Sequence, residues 1–169
     1  MKNGTLLAAV DLGSKSFRLE ICRYSHGLIQ RSEYIKEAVR QGSGLDEDRN
    51  LSKEAMERGW ECLARFAERL AGFKPNEVRA VATQTLREAK NRHIFLNKAH
   101  QLLGFPIEVV SGREEARLIY QGVSHFLPQT DERRLVIDIG GRSTEFILGV
   151  KQETSKLESY RLGSVSSSL

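Results

Sequence analysis

The apolar positions begin as a nearly unbroken run, Leu6 to Leu12, interrupted only by Asp11. A run that short predicts a strand buried on both faces. Gly13 to Ser16 reads as a turn, and Phe17-Arg18-Leu19-Glu20-Ile21-Cys22 alternates apolar with polar, the period of a half-buried strand. A second turn at Ser25-His26-Gly27 leads into a more polar strand, Leu28 to Val39. The opening therefore predicts an antiparallel meander, closed by a loose Gln41–Gly44 segment. The period then changes. Ala55, Met56, Trp60, Leu63, Ala67 and Leu70 recur at spacings of three and four, one face of a helix. Ser52 is placed to cap it, and Gly72 with Pro75 to end it. Val78–Ala82 (strand), Arg92–Leu103 (helix), Ile107–Val110 (strand) and Glu114–Phe126 (helix) follow. The order β-β-β-α-β-α-β-α is that of an α/β fold with a mixed sheet and parallel crossovers.

A polar stretch, Pro128 to Arg134, precedes a second beginning. Leu135–Ile139, Thr144–Val150 and Thr154–Leu162 predict three further strands. This beginning copies the first. Val10-Asp11-Leu12-Gly13-Ser14-Lys15-Ser16 aligns without gaps on Ile137-Asp138-Ile139-Gly140-Gly141-Arg142-Ser143, at an offset of 127 residues. Asp, Gly and Ser are identical, and the remaining pairs are mostly conservative. Each copy is an apolar strand carrying Asp near its end, a glycine-containing turn, and a strand leaving it. Such a turn can aim backbone N–H groups at an anion, Ser adds a hydroxyl donor, and Lys15 or Arg142 adds positive charge. An Asp at the strand end can hold Mg²⁺, which sits between carboxylates and phosphates. One Asp-x-Gly is commonly just a hairpin signal; two copies in the same strand-turn-strand context favour phosphate binding.

Composition narrows the class. With 169 residues, 40% of them apolar and 28% charged, the chain has room for one domain and part of another, and reads as a soluble, packed protein. No stretch reaches the ~20 apolar residues of a membrane span, and Met1–Val10 lacks the features of a secretory signal, so a cytoplasmic location is expected. Cys22 and Cys62 are too few and too far apart for a disulfide framework or a CxxC site. The net charge of +4 favours an anionic partner, but the charges are interleaved rather than blocked, which does not support nucleic-acid binding. Asp46–Asn50 mimics a calcium loop but has Leu51 where that loop needs Gly. His93 and His100 stand two turns apart, too far for one metal.

Four segments occur in the order seen in one family: Val10–Leu19, Ala82-Thr83-Gln84-Thr85-Leu86-Arg87-Glu88-Ala89, Ser111–Val123 and Ile137–Glu145. In these the chain resembles the exopolyphosphatase and guanosine-pentaphosphate phosphatase (Ppx/GppA) family. The resemblance implies the ribonuclease H-like fold of the actin-like ATPase, sugar kinase and heat-shock ATPase superfamily, with two similar lobes flanking a cleft. It places the first lobe at residues 1–130 and the opening strands of a truncated second lobe at 131–169. It also implies that the full-length protein is longer and a homodimer, and that this fragment alone is inactive. Two loop positions depart from the family pattern, which usually has Asn at Lys15 and Gly at Arg142. Lys15 adds charge suited to polyanions; Arg142 could clamp a phosphate or crowd the loop.

The candidate residues follow. Gly13, Ser14, Lys15, Ser16, Arg87, Gly140, Gly141, Arg142 and Ser143 are expected to bind phosphate, and Asp11, Asp138 and Glu145 to hold Mg²⁺. Arg87 lies beyond the carboxyl end of a predicted parallel strand, where ligands bind. The pattern alone makes Glu145 an outward strand residue; the resemblance puts it near the metal. Glu115 shares a helix face with Ile119 and Gly122, and the second Glu of Glu-Glu-Ala-Arg-Leu matches the family's general base, with Glu114 the alternative. The expected reaction is release of terminal orthophosphate from inorganic polyphosphate by Mg²⁺-assisted attack of water. The alternatives are 5′-phosphohydrolysis of guanosine pentaphosphate, a non-catalytic phosphate-binding module, or a kinase of the same superfamily.

Overall fold

The computed structural model describes residues 2–164. Its strands are β1 (Leu6–Leu12), β2 (Phe17–Ser25), β3 (Leu28–Glu37), β4 (Val78–Ala82), β5 (Ile107–Val109), β6 (Arg133–Ile139), β7 (Thr144–Val150) and β8 (Glu153–Tyr160). The helices are α1 (Lys53–Arg69), α2 (Gln84–Glu88), α3 (Arg92–Leu103) and α4 (Gly112–His125). The chain divides into two compact units, Met1–Val109 and Val110–Leu169.

In the first unit five strands lie in the order β3-β2-β1-β4-β5. The meander pairs antiparallel, and β4 and β5 add in parallel, as their helical crossovers require. Val10, Leu12, Phe17 and Leu19 point into one core with Leu63 and Phe66 of α1 and Phe95 and Leu103 of α3, all essentially fully buried. Ser52 caps α1, its hydroxyl accepting from Ala55 N at 3.2 Å. Trp60 stacks on Phe95 with centroids 5.9 Å apart and donates its indole N–H to the Phe95 carbonyl, fixing α1 against α3. Gln41–Gly44, expected to be loose, is a 3₁₀ turn. The short helix α2 stands where the sequence predicts only a Thr-rich turn.

The second unit is an antiparallel sheet, β6-β7-β8, crossed by α4. The two compact units divide at 109/110, inside the span expected for the first lobe, residues 1–130. Ala116 and Tyr120 of α4 are fully buried with Ile147 of β7, and Ile119, Val136 and Leu157 close around them. These contacts group α4 with the strands that follow it. The sequence also predicts that these strands lack most of their covering helices. Cover is present on one face only: on the other, Leu135, Ile137 and Ile139 are 56%, 49% and 70% exposed. Among the described residues no helix is long and apolar enough to cross a membrane.

Candidate functional site

The first loop is built at the carboxyl ends of β1 and β4, which run side by side with Leu12 level with Ala82. Asp11, Gly13, Ser14, Lys15, Ser16 and Arg87 all gather at this end. Leu12 and Phe17 face each other, so Gly13–Ser16 is a tight hairpin. A Cβ on Gly13 would stand 2.9 Å from the Ser16 carbonyl oxygen, so the turn needs glycine there. One segment, residues 40–42, tethers the turn from outside with two hydrogen bonds. Arg40 N–H donates to the Lys15 carbonyl at 2.9 Å, and Gly42 N–H to the Ser14 carbonyl at 2.8 Å. Because the C=O and N–H of a trans peptide point opposite ways, the N–H groups of Lys15 and Ser16 face away from these partners. Thr85, in α2, donates its hydroxyl to Ser14 Oγ at 2.7 Å. Ser14 and Ser16 are buried and Lys15 is exposed.

Arg87, half-buried in α2, donates Nε and one Nη to Gln84 Oε1 at 3.2 and 2.6 Å, while Gln84 Nε2 donates to Glu88. The guanidinium is thus oriented by a side-chain relay within one helical turn. Sequence reasoning missed Thr85, although it lies within a quoted motif, and missed the Arg40–Gly42 tether altogether. The sequence reading ends its strand at Val39 and leaves Gln41–Gly44 loose, and nothing in it says that Arg40 adopts φ 51, ψ 44.

The second loop repeats this construction in its own unit. Ile139 faces Thr144, Gly140 N–H donates to the Ser143 carbonyl at 2.9 Å, and a Cβ on Gly140 would stand 3.1 Å from that oxygen. Ser143 is buried; Gly141 and Arg142 are half-buried. The backbone of Gly163 and Ser164 packs on this loop, Ser164 N–H donating to the Gly140 carbonyl at 3.0 Å.

The two copies differ in what faces the aspartate. Asp11 is level with Arg18, whose guanidinium reaches its carboxylate at 3.1 Å. Asp138 is level with Glu145. Cross-strand partners share a face, so the second copy presents two carboxylates where the first presents a carboxylate neutralised by arginine. Glu145 is fully buried, against the outward reading of its pattern, and accepts from Ser159 Oγ at 2.8 Å. The reason is that β7 is apolar on both faces at Phe146, Ile147 and Leu148, and α4 covers the face that carries Ile147 and Glu145.

Paired oxygen donors with few further protein ligands are the donor set that suits Mg²⁺, which keeps waters and binds through one or two carboxylates plus phosphate. Among the described residues no three His, Cys, Asp or Glu side chains form a group that could hold a metal ion.

Glu115 lies in the first turn of α4. Ser111 caps the helix, its hydroxyl accepting from Glu114 N at 3.1 Å and its carbonyl from Glu115 N at 2.9 Å. Glu115 is half-buried. Glu114 is held in a bidentate pair by Arg117, at 2.8 and 2.7 Å, which engages both of its oxygens and raises the arginine's pKa through those hydrogen bonds. His100 Nε2 contacts the Ile107 carbonyl at 3.3 Å.

A β3-β2-β1-β4-β5 mixed sheet and a duplicated Asp-Gly loop hairpin define the class: the chain has the ribonuclease H-like, actin-like ATPase fold. The model of the Ppx/GppA phosphatase family matches residues 21–168, and the chain belongs to that family. It is 52% identical over 163 residues to the guanosine-5′-triphosphate,3′-diphosphate pyrophosphatase of Vibrio vulnificus, which covers 96% of this chain and 33% of that protein. It is similar to the solved exopolyphosphatase of Cytophaga hutchinsonii, with a TM-score of 0.87 at 29% identity over 94% of this chain and 51% of that one. The Ppx/GppA enzyme of Aquifex aeolicus gives a TM-score of 0.84 at 28% identity, over 96% of this chain and 54% of its own. The chain thus spans about a third of the curated relative and about half of the solved ones.

Proposed function

We propose that this sequence belongs to a phosphohydrolase that releases terminal orthophosphate from a phosphoanhydride substrate. The observation that carries the reading is the repeated hairpin, closed in both units by the same glycine-to-serine contact. Backbone N–H groups of Gly13–Ser16 and Gly140–Ser143, with Ser14, Ser16 and Ser143, bind phosphate oxygens. Lys15, Arg87 and Arg142 offset their charge. In the second unit Asp138 and Glu145 would hold Mg²⁺, which when bound withdraws charge from the phosphates, and Asp11 is the corresponding carboxylate of the first unit. Glu115 accepts a proton from water as the water oxygen bonds to the terminal phosphorus. The bridging P–O bond breaks and the shortened substrate leaves with its electron pair. The Arg18 pair at Asp11 makes the Asp138–Glu145 hairpin the stronger metal-holding candidate of the two.

Two substrates are supported by different observations. Likeness to an exopolyphosphatase supports inorganic polyphosphate; the 52% identity to the Vibrio enzyme supports guanosine pentaphosphate. The test is incubation of the protein at the length of its relatives with Mg²⁺ and long-chain polyphosphate, guanosine pentaphosphate, or ATP plus sugars. Orthophosphate release from either of the first two supports the reading, and sugar phosphorylation or no turnover overturns it.

A further inference from the structure

Three polar side chains share one face of the short helix α2. Gln84 stands three residues before Arg87 and four before Glu88, the spacings at which helix neighbours meet. Arg87 Nε and Nη2 both donate to Gln84 Oε1, at 3.2 and 2.6 Å, and Gln84 Nε2 donates to Glu88 Oε1 at 2.6 Å. The polarity of this relay has one solution. A guanidinium only donates and an ionised carboxylate only accepts, so the Gln84 amide must turn its oxygen to Arg87 and its NH₂ to Glu88. Glu88 thus fixes the amide, and the amide fixes the guanidinium.

The support beneath the relay is equally specific. Arg87 N–H donates to the Thr83 carbonyl at 3.0 Å, and the Arg87 carbonyl accepts from Arg92 Nη1 at 3.0 Å. Gln84 is only 5% exposed, so its amide is anchored in packed protein rather than in water. Its neighbour Thr85 bonds Ser14 of the first loop at 2.7 Å, which docks this turn of helix directly against that loop. α4 offers a comparison. Glu114 and Arg117 have the same spacing of three, and there a carboxylate engages the guanidinium through two bonds, at 2.8 and 2.7 Å. In that pair each charge offsets the other. At the matching position in α2 the acceptor is an amide, which directs a guanidinium without cancelling its charge.

We propose that Gln84 is a positioning residue, which sets the direction of the Arg87 guanidinium for phosphate while Glu88 locks the amide in the orientation this needs. The role rests on Arg87 binding phosphate, as proposed above. An arginine ordered before the substrate arrives loses less side-chain freedom on binding, and a misplaced clamp slows the reaction.

Orthophosphate release by the protein at the length of its relatives, with Mg²⁺ and long-chain polyphosphate or guanosine pentaphosphate, tests this in wild type, Q84M, R87A and Q84M/R87A. Met keeps the approximate volume and helix propensity of Gln and removes both amide groups. We expect Q84M to lower kcat/KM about tenfold and R87A at least as far, with the double variant within about twofold of R87A. An interaction that works through Arg87 vanishes with it. Guanidinium ion, kept too dilute to unfold the protein, should restore turnover to R87A and restore much less to Q84M/R87A, which lacks the amide that holds the ion. Wild-type kcat/KM in Q84M, losses that multiply in the double variant, or equal rescue of R87A and Q84M/R87A would each overturn the role of Gln84 and leave the phosphohydrolase reading intact. If wild type releases no orthophosphate from either substrate, that reading falls and the role of Gln84 falls with it.

Discussion

Gly149→Ala tests whether α4 is seated on β6–β8 as described. The new Cβ would come closer than 3.0 Å to Tyr120 Cζ and Oη and to the Glu153 carbonyl oxygen. Neither neighbour yields easily, since Glu153 O is backbone of the β7–β8 hairpin and the Tyr120 ring is fully buried. If the unit relaxes by small shifts, overpacking of this kind costs about 1–3 kcal/mol. If the ring is expelled, the loss is larger: a tyrosine burying roughly 150–250 Å² at about 25 cal/mol/Å² is worth up to about 4–6 kcal/mol. The smaller range is expected, because strand ends give before a buried ring leaves. It corresponds to a fall of roughly 5- to 150-fold in hydrogen-exchange protection across α4 and β6–β8, with β1, β4 and β5 amides as the internal reference. Tyr120→Phe serves as the companion, because the Tyr120 hydroxyl is buried without a hydrogen bond. Its removal should be neutral or stabilising by about 1 kcal/mol. Unchanged protection of α4 in Gly149→Ala, or a clear loss in Tyr120→Phe, would refute the seating of α4.

Three further outcomes follow from the first unit. Gln41 is fully buried with neither amide atom hydrogen-bonded, so Gln41→Leu should raise the urea midpoint, by about 1–2 kcal/mol of stability; a lower midpoint contradicts the assignment. Burial, then the charge of Glu37, pushes the Cys62 thiol up to about 12, from an ordinary 9.0. It should therefore resist iodoacetamide at pH 8 until the fold opens, and its contribution to stability should be complete below pH 9 and lost as pH rises toward 12. Glu37 is held below its ordinary 4.5 chiefly by its hydrogen bonds from Arg65. The folded state thus binds that proton less tightly, and the stability this pair adds is present above about pH 4.5 and lost as pH falls through the folded value. The difference in urea midpoint between wild type and Glu37→Gln should shrink from pH 7 to pH 3, and a constant difference would be contrary evidence.

Much of the fold is legible because period and punctuation agree. β1, β4, β7 and α3 have the bounds their apolar patterns predict, and Ser52 caps α1 as its position suggests. The misses share a physical origin in contacts between distant segments. The strand β7 is apolar on both faces, so nothing local says that Glu145 is buried and Phe146 is not; α4 decides it. The same contact groups α4 with β6–β8, which its own pattern does not say, since a helix's apolar stripe does not name the sheet that it covers. The five-residue α2 is too short to show a period, and Arg40 enters the left-handed region through its tethers to Lys15 and Arg58 rather than through its own propensity. Of the site, the repeat reveals the two loops, but not that Asp11 faces an arginine while Asp138 faces a glutamate.

The most direct test of the central claim is orthophosphate release by Glu115→Gln in the protein at the length of its relatives, with Glu114→Gln beside it. With Mg²⁺ and saturating substrate, Glu115→Gln should lower kcat by roughly 10²–10⁴-fold with KM nearly unchanged, as loss of a general base does. Glu114→Gln, which releases the Arg117 clamp, should stay within about tenfold of wild type. Wild-type turnover by Glu115→Gln, with the loss appearing in Glu114→Gln instead, would contradict the account.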